Sequence, residues 1–191
     1  MLGNILTGLY DLVEETFGLE VLDELITASN LSTEGIYSGI GSYPHSDMIS
    51  LVQNLSRIVD MPSETLMHVY GAYLFKSLMA SHVHYVGMMT SSFDIFTHLD
   101  GMIHVEVAKL YPEAEVPKFS CEVLSPDTVK LCYQSERPFA SVAEGLIEGC
   151  GTYFGEELTI TRDPEKENSP NNVTFIIKNM GLSKALTDKN G

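Results

Sequence analysis

Tyr133-Gln134-Ser135-Glu136-Arg137 closes a run from Val129 that alternates like a strand, after a long stretch of helical pattern. On a strand, side chains at i, i+2 and i+4 share one face. Tyr133, Ser135 and Arg137 are therefore expected to aim a phenol, a hydroxyl and a guanidinium fork at one place. All three donate hydrogen bonds, and the arginine is permanently charged. A fixed anion with two carboxylates needs donors of this kind. His104, upstream in a helical segment, offers a nitrogen ligand for a metal. A group that carries both a metal and carboxylates is haem.

Around these residues the pattern is helical first and β-rich last. Ile5, Leu9, Leu12, Val13 and Phe17 mark one amphipathic face, ended by Gly18. Val21, Leu22, Leu25 and Ile26 mark a second, and Met48 to Val59 a third. Pro62, Ser63 and Glu64 suit the first turn of a helix running to about Ala80. Ser81 to Ser92 reads as a loop or a broken helix, and Phe93 to Tyr111 as one further helix closed by Pro112. Phe119 to Leu124 and Val129 to Ser135 flank Ser125-Pro126-Asp127-Thr128, a good turn. Ala140 to Phe154 reads as a helix, and Leu158 to Thr161 and Val173 to Ile177 as two more strands. The polar run from Arg162 to Asn172 is expected to be a loop, with a loose tail from Gly181 on. The fold class expected is α+β.

A chain of 191 residues is most simply one domain, long enough for two lobes sharing a core. Apolar residues at 44% and charged residues at 19% describe a soluble globular protein. A formal net charge of −15 argues against nucleic acid and anionic membranes, because both need a basic patch. With 11 Lys and Arg in all, an arginine committed to a motif is a scarce resource. Cys121, Cys132 and Cys150 are odd in number and lack CxxC spacing. Reduced thiols in a cytosolic protein are expected, rather than a disulfide framework or a zinc knuckle. The start lacks a basic n-region and no apolar run reaches ~18 residues, so neither secretion nor membrane spanning is expected. The expectation is a soluble, cytoplasmic protein.

Each candidate also has a plainer explanation. Phe96, Leu99, Ile103, Val107 and Leu110 make an apolar stripe with His104 at its edge. Helical side chains lean toward the N-terminus, so His104 lies over the turn of Gly101, where no side chain obstructs a flat ring. A glycine within a helix costs roughly 1 kcal/mol relative to alanine, which invites a packing reason. Taken alone, a satisfied, half-buried histidine is the more ordinary outcome. Tyr133, Ser135 and Arg137 are likewise compatible with a solvated face, although Val129 and Leu131 on that face look core-facing. Nine methionines, Met88 and Met89 among them, suit core filling better than a copper site. His82 and His84, two apart, match no metal signature and read as surface residues.

Leu99-Asp100 precedes His104, Tyr111-Pro112 and Pro117 follow it, and Tyr133-Gln134-Ser135-Glu136-Arg137 comes next. The stretch from His104 to Arg137 resembles the haem-binding core of the H-NOX (haem–nitric oxide/oxygen binding) family. The likeness is to the stand-alone bacterial type, related to the haem sensor domain of soluble guanylate cyclase. Met1-Leu2-Gly3-Asn4-Ile5, Tyr70-Gly71-Ala72-Tyr73-Leu74-Phe75 and Glu144-Gly145-Leu146 fit as well, so the resemblance runs from Met1 to about residue 160.

This resemblance implies the H-NOX fold, a mostly helical N-terminal part followed by a small antiparallel sheet with a packed helix. It implies one haem-binding domain over residues 1–181, with a helical distal lobe at about 1–62, a haem-ligating and sheet lobe at about 63–181, and a loose tail at 182–191. His104 would be the iron ligand, and Tyr133, Ser135 and Arg137 would bind the propionates of haem b (iron protoporphyrin IX). Pro117 and Ile5 would press on the porphyrin, a recognised lever on haem chemistry. By the same matching, Leu9, Leu74, Leu78, Val142 and Leu146 line the distal side. Val142 stands where oxygen-binding members carry a tyrosine donor. Without that donor, bound O2 forgoes roughly 1–3 kcal/mol, about 10–100-fold in affinity.

The implied protein is a gas sensor and not an enzyme. NO and CO bind a five-coordinate ferrous haem, and weakening or breakage of the Fe–His bond signals to a separate partner. For stand-alone bacterial members that partner is a histidine kinase or a cyclic-di-GMP enzyme. The zinc site of some relatives is absent, since Phe139 to Val142 has no Cys and Arg162 to Met180 has neither Cys nor His. A haem enzyme of peroxidase or NO dioxygenase type is the main rival, and it would need a distal acid–base group that these positions lack. A haem-free interaction scaffold is the other.

Overall fold

The computed structural model describes residues 1–81, 88–112, 115–166 and 168–181. Helix α1 (Gly3–Phe17) buries Leu9, Leu12 and Val13 of the expected apolar face, together with Leu6, while Ile5 and Phe17 are half-buried. It stops at Gly18, whose φ of 89° is easily reached only by glycine. Helices α2 (Leu19–Ala28) and α3 (His45–Ile58) complete the N-terminal helical layer. The segment between them folds back over the start of the chain and is pinned by Asp47, only 3% exposed. Its carboxylate accepts from the Ser32 N–H and hydroxyl and from the Tyr37 hydroxyl, at 3.2, 2.6 and 2.8 Å. Three donors satisfy a buried charge that would otherwise be costly.

Helix α4 (Ser63–Ser81) is followed, beyond the undescribed residues 82–87, by α5 (Ser92–His98). The Ser91 side chain accepts from the Asp94 N–H and caps α5. Here the structure corrects the expected single helix from Phe93 to Tyr111. Leu99–Ile103 forms a π-helical turn, and α6 (His104–Leu110) begins only after it. The wider turn contains Gly101 and accompanies the engagement of Asp100, whose carboxylate accepts the Phe119 N–H at 2.9 Å. Such turns re-phase a helix and recur at functional sites. The stripe is re-phased accordingly: Leu99 and Ile103 pack on the sheet core, whereas Leu110 is exposed.

Strands β1 (Lys118–Ser125) and β2 (Thr128–Gln134) form the expected hairpin. Helix α7 (Ala140–Phe154), β3 (Leu158–Arg162) and β4 (Asn172–Asn179) follow. The sheet order is β1-β2-β4-β3, with every neighbour antiparallel. Val129, Leu131 and Tyr133 face the same side as their partners Ile177, Phe175 and Val173, and all six are buried. That inner face packs with Ala143, Ile147 and Cys150 of α7 in one core, while α1 to α4 enclose another. Leu146 touches both. The architecture is α+β, helical first and β-rich last.

The cysteines are free, with Cys150 buried and Cys121 and Cys132 half-buried. Burial pushes the Cys150 thiol well above its ordinary range, consistent with an inert packing role. Met88 is exposed and therefore not core filler, unlike Met89, which packs on the sheet core. No helix among the described residues is long and apolar enough to cross a membrane. His82, His84 and the tail at 182–191 lie outside the described residues.

Candidate functional site

His104 opens α6 directly after the π-helical turn, and its side chain is 17% exposed. Nδ1 lies 3.2 Å from Asp100 Oδ1, the same oxygen that takes the Phe119 N–H. Burial holds the imidazole below its ordinary value of 6.5, opposed by the Asp100 hydrogen bond and charge and by the Pro117 backbone. The ring is therefore neutral at neutral pH. With its Nδ1 proton directed at Asp100, the ring would present the Nε2 lone pair, the arrangement found in metal-ligating histidines. Beside it, Gly101 leaves one flank open: a β-carbon there would meet nothing within 4 Å.

From His104 a line of rings leads to the strand end. Its ring centroid is 5.7 Å from that of Phe119, which is 5.4 Å from that of Tyr133. Tyr133 is the last inward residue of β2, and burial raises its phenol so that it remains a donor. The simple alternation expected through Arg137 is not what brings the trio together. β2 ends at Gln134, and Ser135 and Arg137 lie beyond it. Ser135 stays tied to the sheet side through its N–H to the Asn171 carbonyl at 2.9 Å. The Ser135 hydroxyl then accepts the Arg137 N–H at 3.1 Å, a local turn that short hydroxylated side chains favour. The Tyr133 hydroxyl donates to the Arg137 carbonyl at 3.3 Å. The three residues do converge, through a side-chain-supported turn.

The Arg137 guanidinium, 13% exposed, donates from Nη1 to the Glu115 carbonyl at 3.1 Å, while Nη2 contacts the Glu115 carboxylate. A cleft of about 310 Å3 beside this pair is lined by Ser42, Tyr43, Pro44 and His45 from the N-terminal helical part. Pro117 is half-buried just before β1. Leu9 and Leu74 are buried, and Ile5, Leu78, Val142 and Leu146 are half-buried in the same apolar core. The Tyr70 hydroxyl donates to the Ile5 carbonyl and so fixes that residue from α4.

These residues fit haem on their own chemistry. Among the described residues no group of three or more His, Cys, Asp or Glu side chains could hold a metal ion. A single neutral imidazole keeps iron only when another group supplies the remaining ligands, as a porphyrin does. Two residues of this neighbourhood were not among the expected site residues. Asp100 carries a visible signal, an acid four residues before the histidine, whereas Glu115 sits in a sequence context that signals nothing.

A family model described as haem-NO-binding matches residues 2–162. The H-NOX protein of Shewanella woodyi, solved in solution in the Fe(II)CO state, is 46% identical and aligns over 93% of this chain and 94% of its own, with a TM-score of 0.80. The unliganded Fe(II) H-NOX protein of K. algicida is 34% identical over 94% of this chain and 96% of its own, with a TM-score of 0.86. An H-NOX protein of S. oneidensis in the Fe(II)NO state is 27% identical over 94% of this chain and 99% of its own, with a TM-score of 0.85. A search of curated proteins returns no match. With the model spanning most of the chain and the fold shared throughout, this chain belongs to the haem-NO-binding (H-NOX) family and is a haem gas-sensor domain rather than an enzyme.

Proposed function

We propose that the protein senses NO and CO, with His104 holding the iron of haem b and Tyr133, Ser135 and Arg137 holding its propionates. The observation that carries this is His104, a half-buried imidazole with Nδ1 within hydrogen-bond distance of Asp100. Haem would supply a ferrous iron at which a gas can bind, and His104 would be the residue that holds it. Asp100 orients the imidazole and raises its basicity. Arg137 balances the propionate charge with a fork that suits carboxylates. Pro117 and Ile5 would bear on the porphyrin.

On the ligand side, Leu9, Leu74, Leu78, Val142 and Leu146 exclude water and offer no hydrogen-bond donor. O2 then lacks the charge-assisted bond it needs, a handicap of roughly 1–3 kcal/mol that NO and CO largely escape. Relatives solved in the Fe(II)NO and Fe(II)CO states support the choice of gases. His104 also sits where the π-helical turn meets α6. Release of His104 would free that turn, which Asp100 ties to β1, to shift the helical part at about 1–62 relative to the part at about 63–181. A separate partner, a histidine kinase or a cyclic-di-GMP enzyme in the cytoplasm, would read the shift, and a coupling of ~1–3 kcal/mol suffices.

Optical spectra of the ferrous protein, in air and then with NO, test this reading. The expected result is a clear response to NO and CO and no lasting O2 spectrum. Val142→Tyr should gain about 10–100-fold in O2 affinity by supplying the missing donor. A long-lived O2 spectrum from the unmodified protein would refute the donor-free pocket.

A further inference from the structure

We infer that Glu115 competes with a haem propionate for Arg137: the carboxylate that pairs with the guanidinium gives way to the cofactor's carboxylate on loading. The inference rests on the propionate role proposed above for Arg137. The Arg137 side chain is 13% exposed, and a guanidinium so far from water needs acceptors. The other two members of the trio do not provide them. Tyr133 spends its hydroxyl proton on the Arg137 carbonyl, and the Ser135 hydroxyl takes the Arg137 backbone N–H. The guanidinium bonds found among the described residues go to Glu115 alone, through its carbonyl to Nη1 and its carboxylate to Nη2.

The asymmetry of the pair favours exchange over permanent support. Glu115 is 76% exposed, so its carboxylate is already largely hydrated and can swing into water at little desolvation cost. Its backbone carbonyl belongs to the chain and can remain on Nη1 when the side chain leaves. The side of the fork vacated at Nη2 then meets an incoming group of identical chemistry, a carboxylate with the same charge and bidentate geometry. Glu115 and Arg137 both line the cleft that Met1, Ser42, Tyr43, Pro44 and His45 complete. Haem uptake is on this account a competition between two carboxylates for one arginine.

The test is hemin titration of the haem-free full chain, read by Soret absorbance, for Glu115→Gln, Arg137→Ala and the double variant. Glu115→Gln keeps the size and the backbone carbonyl but removes the competing charge. It should bind hemin about two- to fivefold more tightly, the scale of a largely exposed ion pair, and the gain should shrink at high salt. In the Arg137→Ala background the gain should vanish, since the competed group is gone. Unchanged or weaker binding by Glu115→Gln, or a gain that persists without Arg137, would overturn the exchange. The two readings fail separately. Weakened hemin binding by Arg137→Ala beside an unaltered Glu115→Gln removes only the exchange, whereas full retention by Arg137→Ala removes the propionate role and the exchange with it.

Discussion

Replacing His104 with glycine should yield a protein that loses haem during purification, and free imidazole should restore much of the Soret band. The side chain stands alone as a ligand, because no other cluster of metal-binding groups exists among the described residues to take its place. Outer partners of a metal ligand are worth ~10–100-fold in affinity, so loss of the ligand itself should exceed ~100-fold. Imidazole fits the rescue because the chain would retain Asp100 to bind its second nitrogen and Phe119 to pack on its ring. The same substitution predicts an altered response to acid in the haem-free protein. His104 is held below 6.5 in the folded chain, so as pH falls through 6.5 the unfolded chain takes up a proton that the folded chain does not. Stability contributed by the neutral ring is present above 6.5 and is lost as pH falls toward the lower folded value. His104→Gly should lose that part of the acid sensitivity, as measured by denaturation at several pH values. A variant that kept its Soret band and its pH profile would show that the iron ligand lies elsewhere.

What could be read from the sequence follows the range of the signals involved. Periodicity is local, so the α1 face and the β1–β2 hairpin emerge with bounds that shift by only a residue or two. Sheet order depends on long-range pairing: β4 inserts between β2 and β3, and alternation in β4 says nothing of its neighbours. The interruption at Leu99–Ile103 is invisible to a 3.6-residue pattern because it changes the pattern itself, and Leu110, beyond it, is exposed although the pattern places it in the apolar stripe. Tyr133, Ser135 and Arg137 converge by a route that alternation does not describe, since a strand face accounts for Tyr133 but a turn accounts for the other two. Glu115 pairs with a residue far along the chain and leaves no spacing signature. The family resemblance supplied roles that neither spacing nor composition carries, above all for Pro117, Ile5 and Val142.

Gly145→Ala should lower the melting temperature by about 5–10 °C, although in an ordinary exposed helix the same change stabilises by roughly 1 kcal/mol. The reversal comes from the contact between α4 and α7. A β-carbon on Gly145 would lie 1.9 Å from the His68 carbonyl oxygen and 2.9 Å from the Ala72 nitrogen. Facing it, a β-carbon on Gly71 would lie 2.2 Å from the Val142 carbonyl oxygen and 3.0 Å from Gly145 Cα. The obstructing atoms are backbone on both sides, so no rotamer change relieves them and the helices must separate. Overpacking costs ~1–3 kcal/mol where side chains can yield, and the upper end applies where they cannot. The damage should extend to gas binding, because α4 carries Leu74 and Leu78 while α7 carries Val142 and Leu146. Gly101→Ala is the matched control, since its new methyl group would meet nothing within 4 Å, so the haem-free chain should melt no lower and up to about 2–4 °C higher. Once the helices have parted for one alanine, the second meets less resistance. The Gly71→Ala/Gly145→Ala double variant should therefore lose less stability than the sum of the single changes. Additive losses, or a Gly145→Ala variant that melts with the unmodified protein, would mean that the two helices are not in backbone contact at this crossing.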